Sequence, residues 1–170
     1  YTMSVAIDND TAVVGGALSN AVGVFGRDAN NWTRQTTLTG DGVFVRGFGS
    51  SVAIKGDVLI SGSTTDPSGE FPAYIPIGAA EVFKRSGGVW SAKASLDAPQ
   101  PDFFIGFGGA VAAGDGAIAA GAPGFYSNGY AQGYACIYEQ SGDSWPLKTE
   151  LTGAKAAGRG YYGGGAIAGD

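Results

Sequence analysis

The three tryptophans of this chain occupy one position in three copies of the same phrase. The copies read "VFGRDANNWTRQTTL" (24–38), "VFKRSGGVWSAKASL" (82–96) and "IYEQSGDSWPLKTEL" (137–151). Phe25, Phe83 and Tyr138 each stand seven residues before Trp32, Trp90 and Trp145; Leu38, Leu96 and Leu151 each stand six residues after. A second phrase precedes the first each time: "YTMSVAIDNDTAVVGG" (1–16), "FGSSVAIKGDVLISGS" (48–63) and "FGGAVAAGDGAIAAGA" (107–122). It begins again as "YGGGAIAGD" (162–170). Self-similarity at a fixed period means that like units stack on like. The repeats run 1–47, 48–106 and 107–161, and 162–170 opens a fourth.

Each repeat holds four short extended segments. A β-branched run such as "SVAI" leads through an Asp/Asn/Gly turn ("DND", "KGD", "GDG") into a second run, the pattern of a hairpin. The third segment carries the Val-Phe or Ile-Tyr pair, and a turn such as "RSGG" leads to a fourth, opened by Trp. No window sustains a 3.6-residue apolar period, and the glycine density disfavours helix. The spacing predicts an all-β chain of four-stranded antiparallel meanders. Meanders of four strands at this period are β-propeller blades: three, plus the first strand of a fourth.

Composition narrows the function. With 44% hydrophobic and 15% charged residues, the 170-residue chain reads as one folded domain despite its 31 glycines. A net charge of −5 has the wrong sign for a nucleic-acid partner. Histidine is absent, which removes the commonest general base and zinc ligand. Cys136 is the single cysteine, so no internal disulfide forms. No apolar run reaches the length of a membrane helix, so no membrane insertion is expected. The chain opens at Tyr1 and is expected to be a mature product or an excerpt.

Phe107-Gly108, followed by Gly121-Ala122-Pro123, resembles the FG-GAP repeat of integrin alpha-subunit propellers and of many bacterial and algal surface proteins. The second repeat has "GST" (62–64) and the first "GGA" (15–17) at the GAP position. The resemblance spans the chain and is closest to the branch lacking metal sites. It implies a propeller, usually of seven blades, displayed outside the cell or on its surface for adhesion, ligand binding or scaffolding. The calcium loop of the integrin-like branch is missing. "DND", "KGD" and "GDG" offer too few oxygens for an ion that takes 6–8. No metal and no cofactor are expected; an adventitious ion at Asp8 and Asp10 is the alternative.

Other motifs have a bland reading. Gly158-Arg159-Gly160-Tyr161-Tyr162-Gly163 satisfies G-x-G-x-x-G, but a blade start follows it rather than a helix. Lys55-Gly56-Asp57 resembles an adhesion tripeptide yet occupies a hairpin turn. The tryptophans are expected to be equivalent packing anchors rather than sugar-stacking rings, and Cys136 a small buried hydrophobe. Asn31-Trp32-Thr33 is a sequon at a hairpin tip, making Asn31 the candidate N-glycosylation site; Asn9-Asp10-Thr11 is the lesser one.

Length varies between repeats only in segments two-to-three and four-to-next, which a meander places on one side. Those loops carry Phe71, Tyr74, Phe103, Phe104, Phe125, Tyr126 and Tyr130, the candidate binding face for a glycan or protein. Three blades do not close a ring. Completion is therefore expected from further blades of a longer protein or from self-association, including addition of the last strand to another chain. An extracellular structural or adhesive scaffold is the leading expectation. A binding module comes second and a carboxylate-only hydrolase last.

Overall fold

A computed structural model describes residues 3–40, 46–65, 78–100, 105–124, 126–127, 130–131 and 133–152. Every regular element among them is a strand. The first repeat forms β1 (Met3–Asp8), β2 (Thr11–Gly16), β3 (Ala21–Asp28) and β4 (Asn31–Thr39), paired in that order as one antiparallel sheet. The second forms β5 (Arg46–Lys55), β6 (Val58–Thr65), β7 (Ala79–Ser86) and β8 (Val89–Asp97) with the same order. The third has β9 (Ala110–Gly114), β10 (Ala117–Ala122), β13 (Tyr134–Glu139) and β14 (Leu147–Thr152). A small hairpin, β11 (Tyr126–Ser127) and β12 (Tyr130–Ala131), interrupts it between β10 and β13.

Even the irregularities repeat. The third-to-fourth strand ladder slips by one residue beside Val24/Phe25, beside Val82/Phe83 and beside Ile137/Tyr138. A bulge adds twist at a fixed place, so the aromatic-to-Trp spacing that identifies the repeat encodes a bulged outer hairpin.

Burial patterns show how the sheets stack. In the first sheet, β2 and β3 alternate buried with half-buried residues, the mark of one covered face. In the second, Val58 to Ser63 of β6 are buried without interruption, the mark of two covered faces. The second sheet is thus sandwiched between the first and the third. Sheets approach most closely at their opening strands: β1 and β2 lie against β5, and β5 and β6 against β9. Small residues serve that narrow end, and the large rings of Phe83, Trp90, Tyr138 and Trp145 fill the gap farther out.

Two clusters result. Val13, Val22, Val24 and Leu38 of the first sheet meet Val52, Ile54, Leu59, Phe83 and Trp90 of the second. Val58, Ile60, Val82 and Leu96 of the second meet Val111, Ile118, Tyr138 and Trp145 of the third. Leu from one repeat shares each cluster with Trp from the next.

Candidate functional site

The Phe-Gly pair that opens a repeat is the clasp between sheets. Phe48 and Phe107 are fully buried, each in the cluster between its own sheet and the preceding one. The Phe48 ring meets Phe83 edge-on at 5.9 Å, and Phe107 lies 6.5 Å from Tyr134. Gly49 and Gly108 follow at φ of 88° and 79°, a region that favours glycine. Their carbonyls turn toward the preceding sheet. There Ser4 Oγ donates to Gly49 O at 2.8 Å and Ser51 Oγ donates to Gly108 O at 2.6 Å. Gly15 and Gly62 lie directly beneath those carbonyls, and a Cβ on either would collide with them. These two glycines hold the GAP position of their repeats. The motif spacing is therefore a packing contact between consecutive sheets.

The charged groups also repeat. Arg27 pairs with Asp10 at 2.6 Å and lies 5.6 Å over Trp32; Arg85 pairs with Asp57 at 2.7 Å and lies 5.1 Å over Trp90. Arg85 further donates to Thr11 Oγ1 of the preceding sheet at 3.1 Å. Asp8 Oδ2 accepts from Gly56 N at 2.8 Å across the same interface, with Lys55 Nζ at 3.9 Å. Asp8 and Lys55 thus meet across the two sheets, Asp10 and Asp57 are paired within their own, and the tripeptide at 55–57 is part of a sheet contact. Among the described residues no three Cys, Asp or Glu side chains gather. At the second interface Asp143 receives Lys93 Nζ at 2.8 Å and Lys84 Nζ at 3.5 Å. The Lys93 hydrogen bond and charge hold its carboxyl below the usual range.

The tryptophans depart from the expected equivalence. Trp90 and Trp145 are 8% and 6% exposed, whereas Trp32 is 41% exposed. The reason is directional. Each Trp faces the preceding sheet, and no described sheet precedes the first. The leucines mirror this: Leu38 and Leu96 are 7% and 5% exposed, and Leu151, facing the far end of the stack, is 55% exposed. The indole N–H groups of Trp90 and Trp145 are buried and find no acceptor among the described residues. An unmade buried hydrogen bond is costly. Trp90→Phe is therefore expected to cost under about 1.5 kcal/mol, against about 3–5 kcal/mol for Trp90→Ala. Urea unfolding of both variants checks this.

Cys136 is fully buried in the second cluster, and burial pushes its thiol up to about 11. Burial likewise raises Tyr134 to about 12 and Tyr138 higher still. A thiolate is the reactive form, so native Cys136 is expected to react with a maleimide only as fast as the protein unfolds. Labelling at the rate of a free cysteine would contradict that placement.

Of the candidate binding face, Tyr126 and Tyr130 stand on the β11–β12 hairpin, where Tyr126 pairs with Ala131 and Tyr130 with Ser127. Phe71, Tyr74, Phe103, Phe104 and Phe125 lie outside the described residues, as do the fourth-repeat strand 162–170 and the glycine motif at 158–163. Asn31 is exposed and pairs with Asp28 at the start of β4. Asn9 sits at φ 50° in its turn and donates to Asp8 Oδ2 at 3.1 Å.

Sequence reasoning missed a larger surface. The outer face of the first sheet presents Met3, Val5 and Ile7 on β1 and Trp32 on β4, all exposed. A groove of about 460 Å³ runs across it, lined by Met3, Val14, Gly23, Phe25 and Arg34. Val5 and Ile7 match Val52 and Ile54, and Val111 and Ala113, which are buried. The signal was present in the alternation of "MSVAID".

Among the described residues the chain is all-β, with three four-stranded antiparallel sheets stacked in chain order and one two-stranded hairpin. No family model and no curated protein matches the chain.

Proposed function

We propose that this chain is an FG-GAP-type β-propeller segment of the metal-free branch, serving as an extracellular or cell-surface structural and adhesive scaffold. The observation that carries the reading is the repetition of one interface. Ser4–Gly49 and Ser51–Gly108, Gly15 and Gly62, Leu38–Trp90 and Leu96–Trp145 recur at matched positions. Sheets joined closely at their first strands and spaced by larger rings outside fan around an axis, as blades do. Repeat arrays gain stability from neighbours and need their outermost faces covered, so a chain of this kind acts by joining further blades. Antibody labelling of intact source cells tests the placement. Labelling without permeabilisation is the expected result; labelling only after permeabilisation rules out a surface scaffold.

A second reading rests on the β11–β12 hairpin. It stands where the first repeat has only the turn 17–20, and its two strands include Tyr126 and Tyr130. In that reading the loop face binds a glycan. Glycan-array signal lost in the double variant Tyr126→Ala, Tyr130→Ala would support it, and an array blank for the native chain would remove it.

A further inference from the structure

We propose that Asn31 is an N-glycosylation site, and that Asn9, which carries the same sequon, is not. The proposal rests on the extracellular part of the reading above, since only a chain on a secretory route meets the oligosaccharide donor. The chain has two Asn-x-Thr sequons, at Asn9 and Asn31. The fold treats them in opposite ways.

Both functional groups of the Asn31 sequon face solvent. Asn31 opens β4 just after the turn at 29–30, its backbone paired with Asp28, and Thr33 pairs with Gly26. Both residues are exposed. Successive side chains of a strand point to opposite faces. Asn31 and Thr33 therefore share one face, and Trp32 takes the other, with the Arg27 guanidinium 5.6 Å from its ring.

This exposure belongs to the repeat and not to the first sheet's place in the stack. Val89 and Ser144 stand where Asn31 does, and Ser91 and Pro146 stand where Thr33 does. All four are exposed, although Trp90 and Trp145 between them are buried against a preceding sheet. A sheet laid over Trp32 would therefore leave Asn31 and Thr33 in solvent. β4 is also an edge of its sheet. A bulky, solvated glycan at the start of that strand stands beside a row of unpaired backbone groups, which a sheet must keep from pairing with another chain.

The Asn9 sequon is closed at both ends. Asn9 sits in the β1–β2 turn at φ 50°, and its Nδ2, the atom that would carry the sugar, donates to Asp8 Oδ2 at 3.1 Å. Thr11 is 5% exposed, and its hydroxyl accepts from Arg85 of the second sheet at 3.1 Å. At Asn31 the reaction is a substitution at the anomeric carbon of a lipid-pyrophosphate-linked oligosaccharide. The bond from Nδ2 to C1 forms, the C1–O bond breaks and its electron pair leaves with the lipid pyrophosphate, and Nδ2 gives up one proton.

The test is the full chain secreted by cultured animal cells behind a cleavable leader, read by intact mass and peptide mapping before and after peptide-N-glycosidase. The native chain is expected to carry a single glycan, whose enzymatic release leaves aspartate at position 31. Asn31→Gln and Thr33→Ala are each expected to lose the glycan completely, Thr33→Ser to keep it, and Asn9→Gln to change nothing. A native chain that leaves these cells with Asn31 bare overturns the proposal, and so does a glycan on Asn9. The leader imposes the route, so this result is separate from the labelling of source cells. A bare Asn31 leaves the surface placement standing, and labelling only after permeabilisation removes that placement while the acceptor result stands.

Discussion

Phe107→Ala is expected to destabilise the protein by about 4 kcal/mol, lowering Tm by roughly 10 °C in a chain of this length. Phe107 is wholly buried between the second and third sheets, against Ile105, Val111 and Tyr134. Removing the ring costs its transfer free energy and leaves a void that the strands cannot collapse, because Gly108 is held by Ser51 on one side and by Gly121 on the other. The loss is local in a stack whose units touch only their neighbours. Hydrogen exchange in Phe107→Ala is expected to accelerate in β9, β10 and β13 while β2 and β3 keep their protection. Phe48→Ala is expected to loosen the first interface instead. Uniform acceleration in both variants would mean one undivided core.

Gly62→Ala is expected to cost about 3 kcal/mol from a single methyl group, overpacking of one contact together with loss of a hydrogen bond. The new Cβ would overlap the Gly108 carbonyl oxygen and the Ser51 hydroxyl, which together form the clasp. The carbonyl belongs to backbone that already sits at positive φ, so it has little room to retreat. Gly56→Ala is the control, for a Cβ there meets nothing within 4 Å and pays only for its φ of 55°. Chemical denaturation of the two variants is expected to separate them clearly. In the Gly62→Ala background, Ser51→Ala should cost almost nothing further, since its acceptor has already been displaced. Equal costs for Gly62→Ala and Gly56→Ala would mean that the sheets do not meet at these glycines.

Much of this was readable from residues. Strands and hairpins followed from short β-branched runs broken by Asp, Asn and Gly, because local turn chemistry fixes where a meander reverses. The repeat gave the grouping into sheets, since a bulged ladder reproduces the Phe-to-Trp spacing wherever it occurs. What a sequence conceals is which neighbour a face meets. Trp32 has the same local phrase as Trp90 and Trp145, and its exposure comes from standing on the first of the described sheets. Leu151 is unlike Leu38 and Leu96 for the opposite reason. The Phe-Gly pair was visible as a signature, yet its work is done by a carbonyl reaching a serine 57 residues away, and no local pattern records that distance. The hairpin that carries Tyr126 and Tyr130 was not legible, because a two-residue ladder carries too little alternation to be read.

The most direct measurement is of through-space proton contacts between glycines of consecutive repeats. If each sheet rests on the next through the clasp, Gly15 and Gly49 will show mutual Hα contacts by nuclear Overhauser spectroscopy, and Gly62 and Gly108 will show the same. Contacts confined to pairs within one sheet, with both glycine pairs silent, would contradict the stacking of equivalent sheets.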